Sequence, residues 1–61
     1  MLPRDPYILL SYLNTQLRDI YPSLEEFCAA TDQSLEEIEE TLRRVGYVYD
    51  TQGNRFVRDK G

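Results

Sequence analysis

From Pro6 onward the apolar positions fall into a helical rhythm. Leu9, Leu10, Leu13, Leu17 and Ile20 recur at steps of three and four residues, separated by Ser11, Asn14, Gln16, Arg18 and Asp19. That spacing lines one face of an amphipathic helix. Asp5-Pro6 marks its start: the aspartate accepts from free first-turn amides, and proline at the first helical position lacks only an N–H that has no partner there. Pro22 disfavours helical geometry at the residue before it. A first helix is expected over about 6–20.

One start signal then occurs twice. Ser23-Leu24-Glu25-Glu26 and, eleven residues later, Ser34-Leu35-Glu36-Glu37 are capping boxes, in which the serine side chain serves the third-residue amide and the glutamate reaches back. The first opens a short helix over about 24–31, with Leu24, Phe27 and Cys28 inward and Ala29-Ala30 as small packing residues. The second opens a helix over about 35–45, with Leu35, Ile38, Leu42 and Val45 on one stripe and Gly46 as a left-handed cap. The echo reads as two helix starts built alike, since a solenoid needs three or more longer units.

After Gly46 the pattern becomes extended. Tyr47-Val48-Tyr49 and Arg55-Phe56-Val57 flank Asp50-Thr51-Gln52-Gly53-Asn54, the composition of a β-hairpin over about 47–57. Asp50 first and Gly53 fourth suit a type I turn with a left-handed bulge residue; a two-residue Gln52-Gly53 loop is the alternative register. Residues 58–61 are expected to fray as a tail. The fold class that follows is α+β, three short helices and a C-terminal two-stranded β-hairpin in a single domain over residues 1–61.

Composition narrows the chemistry. The 61 residues hold 30% charged positions, a net charge of −4, one cysteine and no histidine. An internal disulfide and an imidazole-held zinc are both ruled out, and no run reaches the roughly 18 apolar residues of a membrane-crossing helix. The N-terminus, with two prolines and an acid, does not read as a secretory signal, so a soluble, cytoplasmic protein is expected. Domains near this size bury only about 60% of their unfolded surface, and oligomerisation is one common remedy.

The order of elements resembles a winged helix-turn-helix module. Ser23 to Ser34 looks like the helix-turn-helix segment, and Leu42-Arg43-Arg44-Val45-Gly46-Tyr47-Val48 looks like a third helix running into a wing. Asp32-Gln33 departs from the glycine and apolar residue usual in that turn, and the third helix is about a turn shorter than usual. The whole chain also resembles a group of small bacterial proteins catalogued as domain of unknown function family 4250. The residues that carry this are Met1-Leu2-Pro3-Arg4-Asp5-Pro6, Leu17-Arg18-Asp19 with Tyr21, Ser23-Leu24, and Gly46-Tyr47-Val48-Tyr49-Asp50 with Asn54 and Phe56. The resemblance implies a bacterial, intracellular, stand-alone protein and brings no catalytic or binding residues.

The charges bear on what the winged shape would otherwise invite. A reading helix carrying Glu36, Glu37, Glu39 and Glu40 would meet a duplex bearing one negative charge per about 1.7 Å. Nucleic acid is therefore an unlikely partner, and the alternative reading is a regulator that grips phosphate through Arg55, Arg58 and Lys60 on the wing. Glu39 with Arg43 and Glu40 with Arg44 are correctly oriented four-residue pairs, the mark of a solvated face. No enzyme activity, metal or cofactor is expected: there is no histidine base, and mid-helix Cys28 reads as a small hydrophobe. Tyr47 and Tyr49 share one hairpin face, and if that face looks outward it is an aromatic contact patch. The leading function is a protein-protein interaction module, with no partner named by the sequence and a homodimer as one form. Its candidate contacts are Tyr47, Tyr49, Glu36, Glu37, Glu40, Arg55 and Arg58, pairing acidic helix against basic wing.

Overall fold

The computed structural model describes residues 2–60; Met1 and Gly61, which the single-domain range, the family resemblance or the expected tail included, lie outside the described residues. The chain runs α1 (Pro6–Asp19), α2 (Leu24–Thr31), α3 (Leu35–Arg43), β1 (Tyr47–Asp50) and β2 (Arg55–Arg58). Three helices followed by an antiparallel two-stranded hairpin make it an α+β fold.

Each helix starts on the residue its sequence marks. Asp5 accepts from the amides of Tyr7 and Ile8 at 2.8 and 3.3 Å. Ser23 accepts from Glu26 N–H and Ser34 from Glu37 N–H. The ends needed the structure. α1 stops one residue early because the amides of Ile20 and Tyr21 both donate to the Gln16 carbonyl. This swings Ile20 off the stripe to 63% exposure, and Tyr21 takes the inward place, edge-on to Phe27 at 5.2 Å. α3 ends at Arg43 rather than Val45, since Val45 and Gly46 donate to the Leu42 and Arg43 carbonyls, the tighter three-residue step of a terminal turn. Gly46 is left-handed, with φ of 89°.

Asp32, where a glycine is usual in a helix-turn-helix, adopts the left-handed conformation itself, with φ of 56°. Asp and Asn are the non-glycine residues that reach this region most readily. The tight turn between α2 and α3 is therefore made without a glycine.

Leu9, Leu13, Leu17, Leu24, Phe27, Cys28, Ile38, Leu42 and Phe56 form the buried core. Ala29 and Ala30 are exposed instead of packed; they follow Phe27 and Cys28 around a short helix whose apolar face is already filled. In the hairpin Tyr47 pairs with Arg58, Val48 with Val57, Tyr49 with Phe56 and Asp50 with Arg55. The connection is thus a four-residue loop, and the left-handed residue is Asn54, with φ of 52°, not Gly53. A Cβ at Gly53 would lie 2.8 Å from Asp50 Oδ2 and 3.2 Å from Arg55 Nε, the ends of two flexible side chains that would have to move aside. The expected tail begins later than 58, because Arg58 belongs to the ladder and Asp59 N–H donates to the Gly46 carbonyl at 2.8 Å.

Two asparagines fasten the hairpin to the helices. Asn14, on α1, accepts from Phe56 N–H at 2.7 Å and donates to the Phe56 carbonyl at 3.2 Å, so its amide acts as one more rung on the outer edge of β2. Asn54 donates to the carbonyls of Leu17 and Tyr21, both at 3.0 Å. Its own oxygen accepts from the Tyr49 hydroxyl at 2.6 Å, and that hydroxyl accepts from Leu24 N–H at the start of α2. No buried side-chain nitrogen or oxygen among the described residues lacks a partner.

Two predictions follow from these backbone devices. Asn54→Asp removes both donors and points a carboxylate at two carbonyls, and is expected to cost about 2–4 kcal/mol. Asn54→Gly keeps the left-handed turn and is expected to cost less; urea titration of the two variants orders them. Asp32→Gly relieves a left-handed non-glycine residue and is expected to add about 0.5–1 kcal/mol, read as a melting temperature raised by a few degrees.

Candidate interaction surface

α1 is about 21 Å long at 1.5 Å per residue, and from Pro6 to Leu17 it carries no charged side chain. Leu9, Leu13 and Leu17 point to the core. The opposite face presents Tyr7 at 58% exposure, Ile8 at 59% and Tyr12 at 39%, with exposed Ser11 and Thr15 between them. Tyr12 is also held edge-on to the fully buried Phe27, ring centres 6.3 Å apart, so this aromatic is presented in a fixed pose. Charge returns only at the ends of the face: Arg4 and Asp5 before the helix, Arg18 and Asp19 in its last turn, all exposed. Arg18 and Asp19 form a bidentate pair at 2.8 and 2.9 Å. The hydrogen bond from Arg18 is the main cause holding the Asp19 carboxyl below its ordinary range, and the same bond raises the guanidinium.

The structure places the expected contact residues differently. Tyr47 and Tyr49 share a face as the alternation requires, but both pack against the core. Tyr49 stacks tilted on Phe56 at 5.5 Å and buries its hydroxyl in the Asn54 network. The outward aromatic hairpin patch is therefore not formed; the outward face is the one that carries Val48, Val57, Asp50 and Arg55. Phe56 explains the inversion, since the strand's one fully buried side chain lies on the tyrosine side.

Glu36, Glu37 and Glu40 are exposed on α3, with Glu39 half-buried. Glu40 sits 3.3 Å from Arg43 and 4.0 Å from Arg44, so those two cations lie within the acidic face. Arg55 and Arg58 are exposed but three residues apart in one strand, hence on opposite faces of it. They do not join into one cationic strip, and the acidic-helix-to-basic-wing pairing loses its continuous basic half.

Other chemistry is sparse. A groove of about 530 Å³ between α1 and the hairpin loop is lined by Asn14, Thr15, Arg18, Gly53 and Arg55 among others, yet the amides of Asn14 and Asn54 within it are already bonded to backbone. Cys28 is buried; burial, and after it the negative charge of Glu39, push its thiol upward. Among the described residues no three His, Cys, Asp or Glu side chains are grouped to hold a metal ion, and no helix is long and apolar enough to cross a membrane. The outer face of α1 was not among the residues the sequence nominated. The signal that finds it is negative, the missing charge between Pro6 and Leu17 in a chain otherwise dense in charge.

The raised thiol sets a pH dependence. A group whose folded pKa exceeds its unfolded value lends stability below the unfolded value, ordinarily 9.0 here, and loses it as pH rises through the folded one. Wild-type protein is therefore expected to lose stability relative to Cys28→Ala as pH climbs above 9, measured by urea midpoints. Alkylation of Cys28 at neutral pH should follow unfolding.

Comparison with known proteins gives one assignment. The model of the family described as Domain of unknown function (DUF4250) matches residues 3–56, nearly the whole chain, and the chain belongs to that family. No curated protein and no solved structure matches it.

Proposed function

We propose that this DUF4250 protein is a protein-interaction module, without enzymatic activity, that binds its partner through the outer face of α1. The observation that carries the reading is the pair Tyr7 and Ile8, each more than half exposed beside Tyr12 on a helix face free of charge. Tyrosine is enriched at interface centres and charged residues are depleted there. Neighbouring apolar side chains left in water are a standing expense unless something covers them.

Immobilised protein, compared with variants in the cell extract of its source, tests the reading. Ile8→Lys and Tyr7→Lys alter side chains that are more than half exposed and are expected to fold. They should release a protein that wild type retains, while Glu36→Lys and Arg55→Glu should still retain it. Retention indifferent to the α1 variants would overturn the proposal. Salt-sensitive binding of a mixed DNA duplex, measured by polarisation at low ionic strength and lost on changing Arg55 and Arg58, would replace it with the nucleic-acid reading.

A further inference from the structure

We infer that the open edge of β1 pairs with the same edge of a second copy of this chain, antiparallel about a two-fold axis at Val48, joining the two hairpins into one continuous sheet. The inference goes beyond the α1 reading and rests on a different surface. Which backbone groups face that edge follows from two bonds elsewhere in the hairpin. Asn14 occupies both the N–H and the carbonyl of Phe56 on the side away from β1, so Phe56 and its partner Tyr49 exchange no backbone bonds. Asp59 N–H donates to the Gly46 carbonyl, which marks Gly46 as a bonded position. Bonded and non-bonded positions alternate along an antiparallel ladder, so Val48 and Asp50 bond to β2, while the N–H and C=O of Tyr47 and Tyr49 point outward. Among the described residues these outward groups have no hydrogen-bond partner.

The two edges of the hairpin are built differently. The edge of β2 is closed by Asn14 and flanked by Arg55 and Arg58. The edge of β1 has no lysine, no proline and no bulge, the devices that keep edges from pairing; only its length of four residues and terminal Asp50 restrain it. What this edge fits best is itself. A two-fold contact uses the same patch twice, so the patch must complement itself, and Tyr47-Val48-Tyr49 reads the same in both directions. With Val48 on the axis, Tyr47 exchanges both backbone bonds with the second copy's Tyr49, and Tyr49 with its Tyr47, so every outward group is satisfied. Val48 meets its own copy as a close non-bonded pair, and the valines at 48 and 57 of both copies form one row on the outward face. Asp50 falls opposite Gly46, which has no side chain. The two Asp50 carboxylates stay about 13 Å apart along the strands, beyond the screening length at physiological salt. A sheet of two strands is marginal where three or more are not, and pairing supplies them.

A contact between two short strands is at the small end of the known range, so the expected dissociation constant is micromolar or weaker. Sedimentation equilibrium on the full chain, from tens of micromolar to about 1 mM, should show mass rising toward twice that of the monomer. Val48→Lys and Val48→Glu each set like charges side by side on the axis and should raise the dissociation constant by about 10-fold or more. An equimolar mixture of the two variants should recover association, because the mixed pair sets opposite charges together. Ile8→Lys, on the α1 face, should leave association unchanged. Each copy carries a charge of −4 and the contact holds no ion pair, so added salt should tighten it; weakening in salt overturns it. Circular dichroism melts check that each variant is folded, and hydrogen exchange on wild type needs no variant: the Tyr47 and Tyr49 amides should be protected at the high end of the concentration range and exchange freely at the low end, with Val48 protected throughout. A chain still monomeric at about 1 mM, Tyr47 and Tyr49 exchange indifferent to concentration, or a mixture no better than either Val48 variant alone overturns the inference. Association lost in Ile8→Lys and kept in Val48→Lys overturns it too, while leaving the α1 binding-face reading in place.

Discussion

The fold depends on one hydrogen-bonded relay centred on Asn54. Its amide closes the carboxyl end of α1 by donating to the Leu17 and Tyr21 carbonyls, and its oxygen accepts a hydrogen bond from the Tyr49 hydroxyl. That hydroxyl in turn accepts the Leu24 amide at the opening of α2. The end of α1 and the start of α2 are fixed to a hairpin 25 to 37 residues further along the chain through a single loop residue. A helix end leaves carbonyls and a helix start leaves amides without partners, and a neutral amide with both donors and an acceptor can serve such groups without bringing charge inside. The same logic explains Asn14, whose amide pairs with both backbone groups of Phe56. In a protein this small the hairpin has only two strands, marginal by itself, and these two asparagines join it to the helices.

How much of this could be read from the sequence follows from the range of the interactions involved. Helix starts were legible because a cap is local: Asp5, Ser23 and Ser34 each bond amides two or three residues away. The class of fold was legible from periodicity, and the hairpin from its aromatic and β-branched composition. What failed was set by groups distant in sequence. The left-handed loop position fell on Asn54 because its amide reaches α1, and nothing in the five loop residues announces α1. The inward turn of the Tyr47 and Tyr49 face likewise depends on Phe56 filling the core, which alternation alone cannot assign to one side or the other.

The candidate site illustrates a second limit. Residues were nominated from the sequence for what they carry, charge on α3 and the hairpin or rings on β1, and several of those groups proved to be engaged locally. Arg43 and Arg44 lie beside Glu40, Tyr49 holds Asn54, and the strand geometry sends Arg55 and Arg58 to opposite faces. The face that remains is defined by what it lacks. Tyr7 and Ile8 are more than half exposed on a helix whose core side is Leu9, Leu13 and Leu17, while Tyr12 rests edge-on against Phe27.

Charge and apolarity are usually treated as separate surface properties, but on α1 they act together. Electrostatic repulsion between an acidic chain and another acidic surface is screened beyond about 8–10 Å in physiological salt, so it governs contact rather than approach, and an uncharged stretch meets no such repulsion at contact. Burial of apolar area supplies attraction at about 25 cal/mol per Å², and exposed apolar side chains lie together on that same stretch. A single lysine at Ser11 or Thr15 would have kept the helix amphipathic and made it soluble on both sides, at no cost to the core formed by Leu9, Leu13 and Leu17. The inner stripe of Leu9, Leu13 and Leu17 anchors the helix, and its uncharged outer face is the surface proposed above to bind.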